Sequence, residues 1–179
     1  MPVSLSRIKK LGTPRMDLPP GDYPAHIVAM VYPKEQDGSC RKTYGEYVLQ
    51  VHKGAGVCYI ATKPFDISIN EESHLYTLLA GLTGSKSPEQ LYDWLEEHEY
   101  FVDDTFDECD FLGVSVMAHV ERKNRMNDQA VAYNIVTGFS PIPDELEPEL
   151  NTSRLIPYGF ARPNRYEIVK LDELDVDNA

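Results

Sequence analysis

A mainly β fold with a helix lodged between its third and fourth strands is what the chain predicts, and three features predict it. Short apolar stretches of strand period recur along most of the sequence. Turns built on Gly, Pro, Asn and Asp punctuate them. One leucine stripe of helical spacing falls after the third stretch. The length of 179 residues suits a single domain with appendages.

The first strand starts at Asp22. Tyr23, Ala25, Ile27, Ala29 and Val31 form one row and Pro24, His26, Val28, Met30 and Tyr32 the other, until Pro33 stops the run. Residues 34–43 are polar and turn at Asp37-Gly38, as a hairpin connection does. Strand two is Tyr44 to Lys53, with Tyr47, Leu49 and Val51 on one face and Val48, Gln50 and His52 on the other. Gly54-Ala55-Gly56 turns the chain into strand three, Val57 to Thr62.

A helix follows. Asn70 is its expected N-cap, Glu71 and Glu72 suit the positive end, and Leu75, Leu78, Leu79 and Leu82 make one stripe before Gly84. Ser87-Pro88-Glu89-Gln90 has the form of a capping box, so a second, inserted helix starts there and carries Leu91, Trp94 and Leu95. An acidic connector, 96–110, leads to strand four (Val114 to Glu121), a polar hairpin loop (122–129) and strand five (Ala130 to Phe139). A short docked strand is expected over Tyr166 to Leu171.

The domain plan is therefore a basic arm, 1–20, with Arg7, Lys9, Lys10 and Arg15; a barrel domain, 21–143; and an acidic, proline-containing extension, 144–179. The aromatic stretch Tyr158 to Tyr166 is expected to dock on the barrel. Mixed short strands must hide their edges, and closing five of them into a barrel does so. Three strands, a helix and two strands is the order of an OB-type barrel, in which that helix plugs one end of the core. The expected fold is a five-stranded OB-type barrel with a helix between strands three and four, an inserted second helix and extended tails.

Composition narrows the function classes. A hydrophobic content of 42% excludes a wholly disordered chain. No apolar run reaches the roughly 20 residues that cross a bilayer, and the N-terminus lacks a signal-peptide apolar stretch, so a cytoplasmic protein with no membrane partner is expected. Cys40, Cys58 and Cys109 are too scattered for a zinc site and read as reduced thiols. The acidic cluster Asp103, Asp104, Asp107, Glu108 and Asp110 lacks calcium-loop spacing and reads as a solvated connector, so neither metal nor cofactor is expected. Gly-x-Ser-x-Gly, His-Glu-x-x-His and P-loop patterns do not occur and the five histidines are scattered, which argues against an enzyme.

The net charge of −12 is unevenly spread. Residues 1–63 hold nine Lys/Arg against five Asp/Glu, or +4; the remainder holds eight against twenty-four, or −16. Such asymmetry fits a binding face set against an acidic segment.

Four turn-and-strand motifs carry a resemblance. Leu18-Pro19-Pro20-Gly21-Asp22-Tyr23 matches a Leu-Pro-x-Gly-x-Tyr opening before strand one, and Tyr44-Gly45-Glu46-Tyr47 a Tyr-Gly start of strand two. Phe111-Leu112-Gly113 is similar to a Leu-x-Gly step before strand four, although Val114 replaces the lysine that usually follows. Gly138-Phe139-Ser140-Pro141-Ile142 is similar to an exit into a proline-rich tail. Over residues 18–143 the chain thus resembles the DUF669-like single-stranded-DNA-binding proteins of bacteriophages and mobile elements. That resemblance implies DNA replication or recombination in the host cytoplasm, and an acidic C-terminal region that recruits replication or recombination proteins. It leaves room for a homo-oligomer.

An OB barrel binds single strands by stacking bases on aromatic rings while cations hold phosphates. Tyr32, Lys34, Arg41, Lys42, Tyr44 and Tyr47 supply both at the first connection, His52, Tyr59 and Lys63 along strands two and three, and Arg122, Lys123, Arg125 and Tyr133 at the last hairpin. Tyr47 is also in phase with the core residues Leu49 and Val51. A protein-interaction or virion structural module on the same barrel is the alternative that the acidic balance favours.

Overall fold

The computed structural model describes residues 18–125, 128–151 and 165–171. Most of the expected arm, the Tyr158–Tyr166 stretch up to residue 164 and the acidic end from 172 lie outside the described residues. The elements are β1 (Gly21–Pro33), β2 (Tyr44–Lys53), β3 (Gly56–Ala61), β4 (Phe65–Asp66), α1 (His74–Thr83), α2 (Pro88–Glu97), β5 (Phe101–Val102), β6 (Thr105–Phe106), β7 (Ser115–Arg125), β8 (Asp128–Ser140) and β9 (Tyr166–Lys170). The fold is mainly β, a large antiparallel sheet with two helices.

The main sheet runs β3-β2-β1-β7-β8. Its two ends meet at one parallel bridge, Thr62 to Val136, where the Lys63 amide donates to the Val136 carbonyl at 3.2 Å. No continuous ladder closes the sheet there among the described residues, and this bridge is where its edges meet. β1 is shared. Its first half pairs with β7 (Gly21↔Val120 to His26↔Ser115) and its second half with β9 (Ala29↔Lys170 to Pro33↔Tyr166).

A bulge at Val28 decides what β1 buries. The register with β2 shifts between Ile27 and Ala29, and an extra residue flips the side-chain alternation beyond it. Ala25 and Ile27 therefore face the main core, and after the bulge Met30 and Tyr32 do so instead of Ala29 and Val31. Val28, Ala29 and Val31 join Val48 in a second, smaller apolar cluster on the outer face, with Tyr59, Leu150, Tyr166 and Ile168 packed against it.

The helices depart from expectation at one cap. α1 is capped by Ser73, whose hydroxyl accepts from the Leu75 amide at 3.2 Å, while Asn70 closes a turn by accepting from the Glu72 and Ser73 amides. Glu71 and Glu72 thus precede the helix. Leu75, Leu78 and Leu79 are buried, and Gly84 ends α1 in the left-handed conformation (φ 75°). α1 lies so close to β8 that a Cβ on Gly81 would sit 2.3 Å from the Phe139 carbonyl oxygen. α2 starts as expected at Ser87-Pro88. The acidic connector is more ordered than its composition suggests, holding the β5–β6 hairpin and a short 3-10 helix, Glu108–Phe111.

Candidate nucleic-acid interface

Tyr32 and Tyr47 are inside the protein, at 1% and 0% exposure, so neither offers a ring face to a base. The Val28 bulge turned Tyr32 inward, and strand alternation did the same for Tyr47. Both hydroxyls serve the 3-10 helix: Tyr32 donates to the Glu108 carboxylate, and Tyr47 donates to the Glu108 carbonyl at 2.7 Å. Burial raises the pKa of both phenols, so they stay protonated donors.

The Asp107, Glu108 and Cys109 ligand atoms lie within 4.8 Å of one another, yet each has a structural partner. The Asp107 carboxylate accepts from the Cys109 amide at 2.9 Å, Glu108 holds Tyr32, and the Cys109 sulfur is 3.2 Å from the Tyr32 hydroxyl. Burial pushes the Cys109 thiol up to about 11, which keeps it protonated and a poor metal ligand.

At the β1–β2 connection one cation is firmly paired, one is loosely placed and one is tied down through its backbone. Lys42 pairs with Glu167 at 2.7 Å, Arg41 approaches Glu35 at 4.0 Å, and the Lys34 amide donates to the Arg165 carbonyl at 2.7 Å. Tyr44 at the start of β2 is 46% exposed. Lys63 is exposed just beyond the β3–β8 bridge.

The opposite end carries the projecting β7–β8 hairpin. Residues 122–125 continue β7 instead of forming a loop, and Lys123 lies directly across from Tyr133, both exposed. Arg122, also exposed, precedes Lys123 across from Asn134 and so points to the other face of the ladder, and the Arg125 backbone lies across from that of Asp128. Below the hairpin, His119 meets Asp22 at 2.8 Å, and Glu121 accepts from Thr137 at 2.5 Å.

Between these ends lies the outer face of β1, β2, β3 and β7. One cross-strand row reads Tyr59, Gln50, His26 and Ser115. Gln50 is fully buried, and its amide donates to the Tyr59 hydroxyl at 3.2 Å. It also clasps a passing backbone: its oxygen accepts from the Asn151 amide at 2.9 Å and its nitrogen donates to the Asn151 carbonyl at 3.0 Å. At the other end of the row Ser115 donates to Glu147 at 2.6 Å. His26 Nδ1 is 3.1 Å from His52 Nε2, with the rings edge to face. Burial lowers both imidazoles, His52 to about 4 with the His26 charge as second cause, while Glu147 partly offsets the shift at His26.

Of the expected contacts, only His52 and Tyr59 belong to this face proper, with Lys123 and Tyr133 farther along β7 and β8. His26, Gln50, Ser115, Glu147 and Asn151 complete it and were not expected. A buried glutamine in an apolar strand was the available signal. No family model, curated protein or solved structure matches this chain.

Proposed function

We propose that this protein binds single-stranded DNA along the outer face of its sheet, entering from the β7–β8 hairpin. The carrying observation is the opposed pair of exposed Lys123 and Tyr133: a phosphate partner and a stacking ring at one spot. The strand order supports an OB-type reading, since β3 meets β8 in parallel and α1 lies between β3 and β7. On this reading the chain belongs with the phage single-strand binders it resembles. It coats transient single strands in the host cytoplasm during replication or recombination, without strong base preference and without catalysis. Fluorescence anisotropy of a labelled oligo-dT of about 30 nucleotides, longer than a footprint of roughly 4–16 per OB fold, tests it. Tighter binding than to duplex, weakening with salt, supports the proposal. No binding at micromolar protein and low salt overturns it.

One observation favours a protein-interaction module instead. Residues 88–110 carry ten Asp/Glu and no Lys or Arg, and no salt bridge among the described residues engages any of them. Exposed Tyr92 (40%) and Val102 (54%) lie in the same segment, over a stack in which Tyr100 lies 4.2 Å from Phe111 and 5.7 Å from Trp94. Such a face suits a basic protein partner. Retention of a basic partner with no affinity for oligo-dT decides for that reading.

A further inference from the structure

Residues 147–151 cross the outer face without joining the sheet. They form no strand, and side-chain contacts anchor them at both ends: Ser115 to Glu147 on β7, and the Gln50 clasp of Asn151 on β2. Between the anchors Leu150 packs on both apolar clusters. The segment therefore runs perpendicular to the strands, over His26 and beside Tyr59, for about two interstrand spacings, roughly 10 Å. Glu147, Glu149 and Asn151 are exposed while Pro148 and Leu150 are half-buried, so the segment is a thin cover with solvent on its outer side.

Position gives this cover a consequence. Lys123 and Tyr133 lie beyond it toward the hairpin, and the cations of the β1–β2 connection lie beyond it the other way, because β1 pairs with Val120 at Gly21 and reaches that connection after Pro33. A single strand arriving at the hairpin meets the cover before it reaches Tyr59. We propose that Glu147–Asn151 is a displaceable strap, and that single-stranded DNA binds in full only when the strap leaves the polar row. This rests on the nucleic-acid reading above. A segment outside the sheet ladder opens more readily than a paired strand. Its removal uncovers the Tyr59 ring for stacking and releases, for base edges, the part of the Gln50 amide that holds Asn151, since that amide already reads a donor and an acceptor side by side. It also withdraws the carboxylates Glu147 and Glu149 from the path of the phosphates.

The test weakens the anchors in the full chain. Asn151→Pro removes the backbone donor that Gln50 accepts from, and Ser115→Ala removes the partner of Glu147; a melt on each confirms folding. Oligo-dT affinity is then read over a salt series for wild type and both variants. The strap predicts an affinity gain on the order of five- to tenfold in each variant. It also predicts a steeper salt dependence, because each added phosphate contact contributes a slope of roughly 0.7. Hydrogen exchange at the Asn151 amide should rise when wild type binds oligo-dT. Equal affinities and slopes in folded variants overturn the strap and leave the nucleic-acid reading standing. Unchanged exchange on DNA binding also overturns the strap. Failure of wild type and both variants to bind overturns the nucleic-acid reading and the strap with it.

Discussion

The Tyr32 hydroxyl donates to the buried carboxylate of Glu108, a contact that exists because the Val28 bulge turns the Tyr32 ring into the core. Tyr32→Phe leaves that carboxylate short of a donor inside the protein. A loss of about 1–3 kcal/mol in urea unfolding is expected, with oligo-dT affinity unchanged. A weaker DNA complex in the folded variant would return Tyr32 to the binding face.

At the hairpin, Tyr133→Ala should reduce oligo-dT affinity by about 1–3 kcal/mol, the range for one stacked base. Lys123→Ala should flatten the salt dependence by roughly 0.7. Lys42→Ala should change neither by much, because Glu167 already neutralises that cation. Anisotropy over a salt series separates the three.

Acid should destabilise the fold through the histidine pair. The unfolded chain takes protons near the ordinary histidine value of 6.5, whereas folded His52 resists until about 4. Between those values folding must expel a proton, so stability falls as pH drops through the window. Urea unfolding at about pH 7 and about pH 5 measures the slope, and His52→Gln should lessen it.

Glu46 acts with the opposite sign. It faces outward opposite Val31, and burial alone pushes its carboxyl up to about 7 from 4.5. The unfolded chain releases that proton first, so stability falls as pH rises from 4.5 through 7 and the penalty is complete above it. Glu46→Gln should therefore stabilise by on the order of 1–2 kcal/mol at about pH 8 and hardly at all at about pH 4. A uniform effect at both would mean that packing, not titration, governs the site.

Gly81→Ala should lose stability despite alanine's better helix propensity. The added methyl would lie 2.3 Å from the Phe139 carbonyl oxygen, forcing α1 off β8. Overpacking of this kind costs about 1–3 kcal/mol, readable as a lowered melting temperature.

Where side chains alternate between turn residues, the strands were legible, and so was the docked strand over Tyr166. The Val28 bulge was not, because residues 25–32 are apolar on both rows apart from His26, and period two cannot register a slip in such a run. Residues 122–125 read as a loop because a hairpin projecting into solvent needs no apolar face. The β5–β6 turn places Asp103 and Asp104 in left-handed backbone (φ 54° and 58°), where Asn-Gly would have announced a hairpin. The cations were found as residues, but their pairing depends on Glu167, far along the chain, which no local pattern reveals. Gln50 read as one more outward polar residue until Asn151 came to rest on it.

The sharing of β1 also sets an order of assembly. During synthesis the ribosome delivers β2 along one edge of β1 and then β7 to the first half of the other edge, but on that second edge Ala29–Pro33 must wait for Tyr166–Lys170. Until then a nascent chain exposes an unpaired edge beside the valines of the outer cluster. The interval before the last strand pairs is therefore the period of greatest risk for self-association, and the step most open to help from a chaperone.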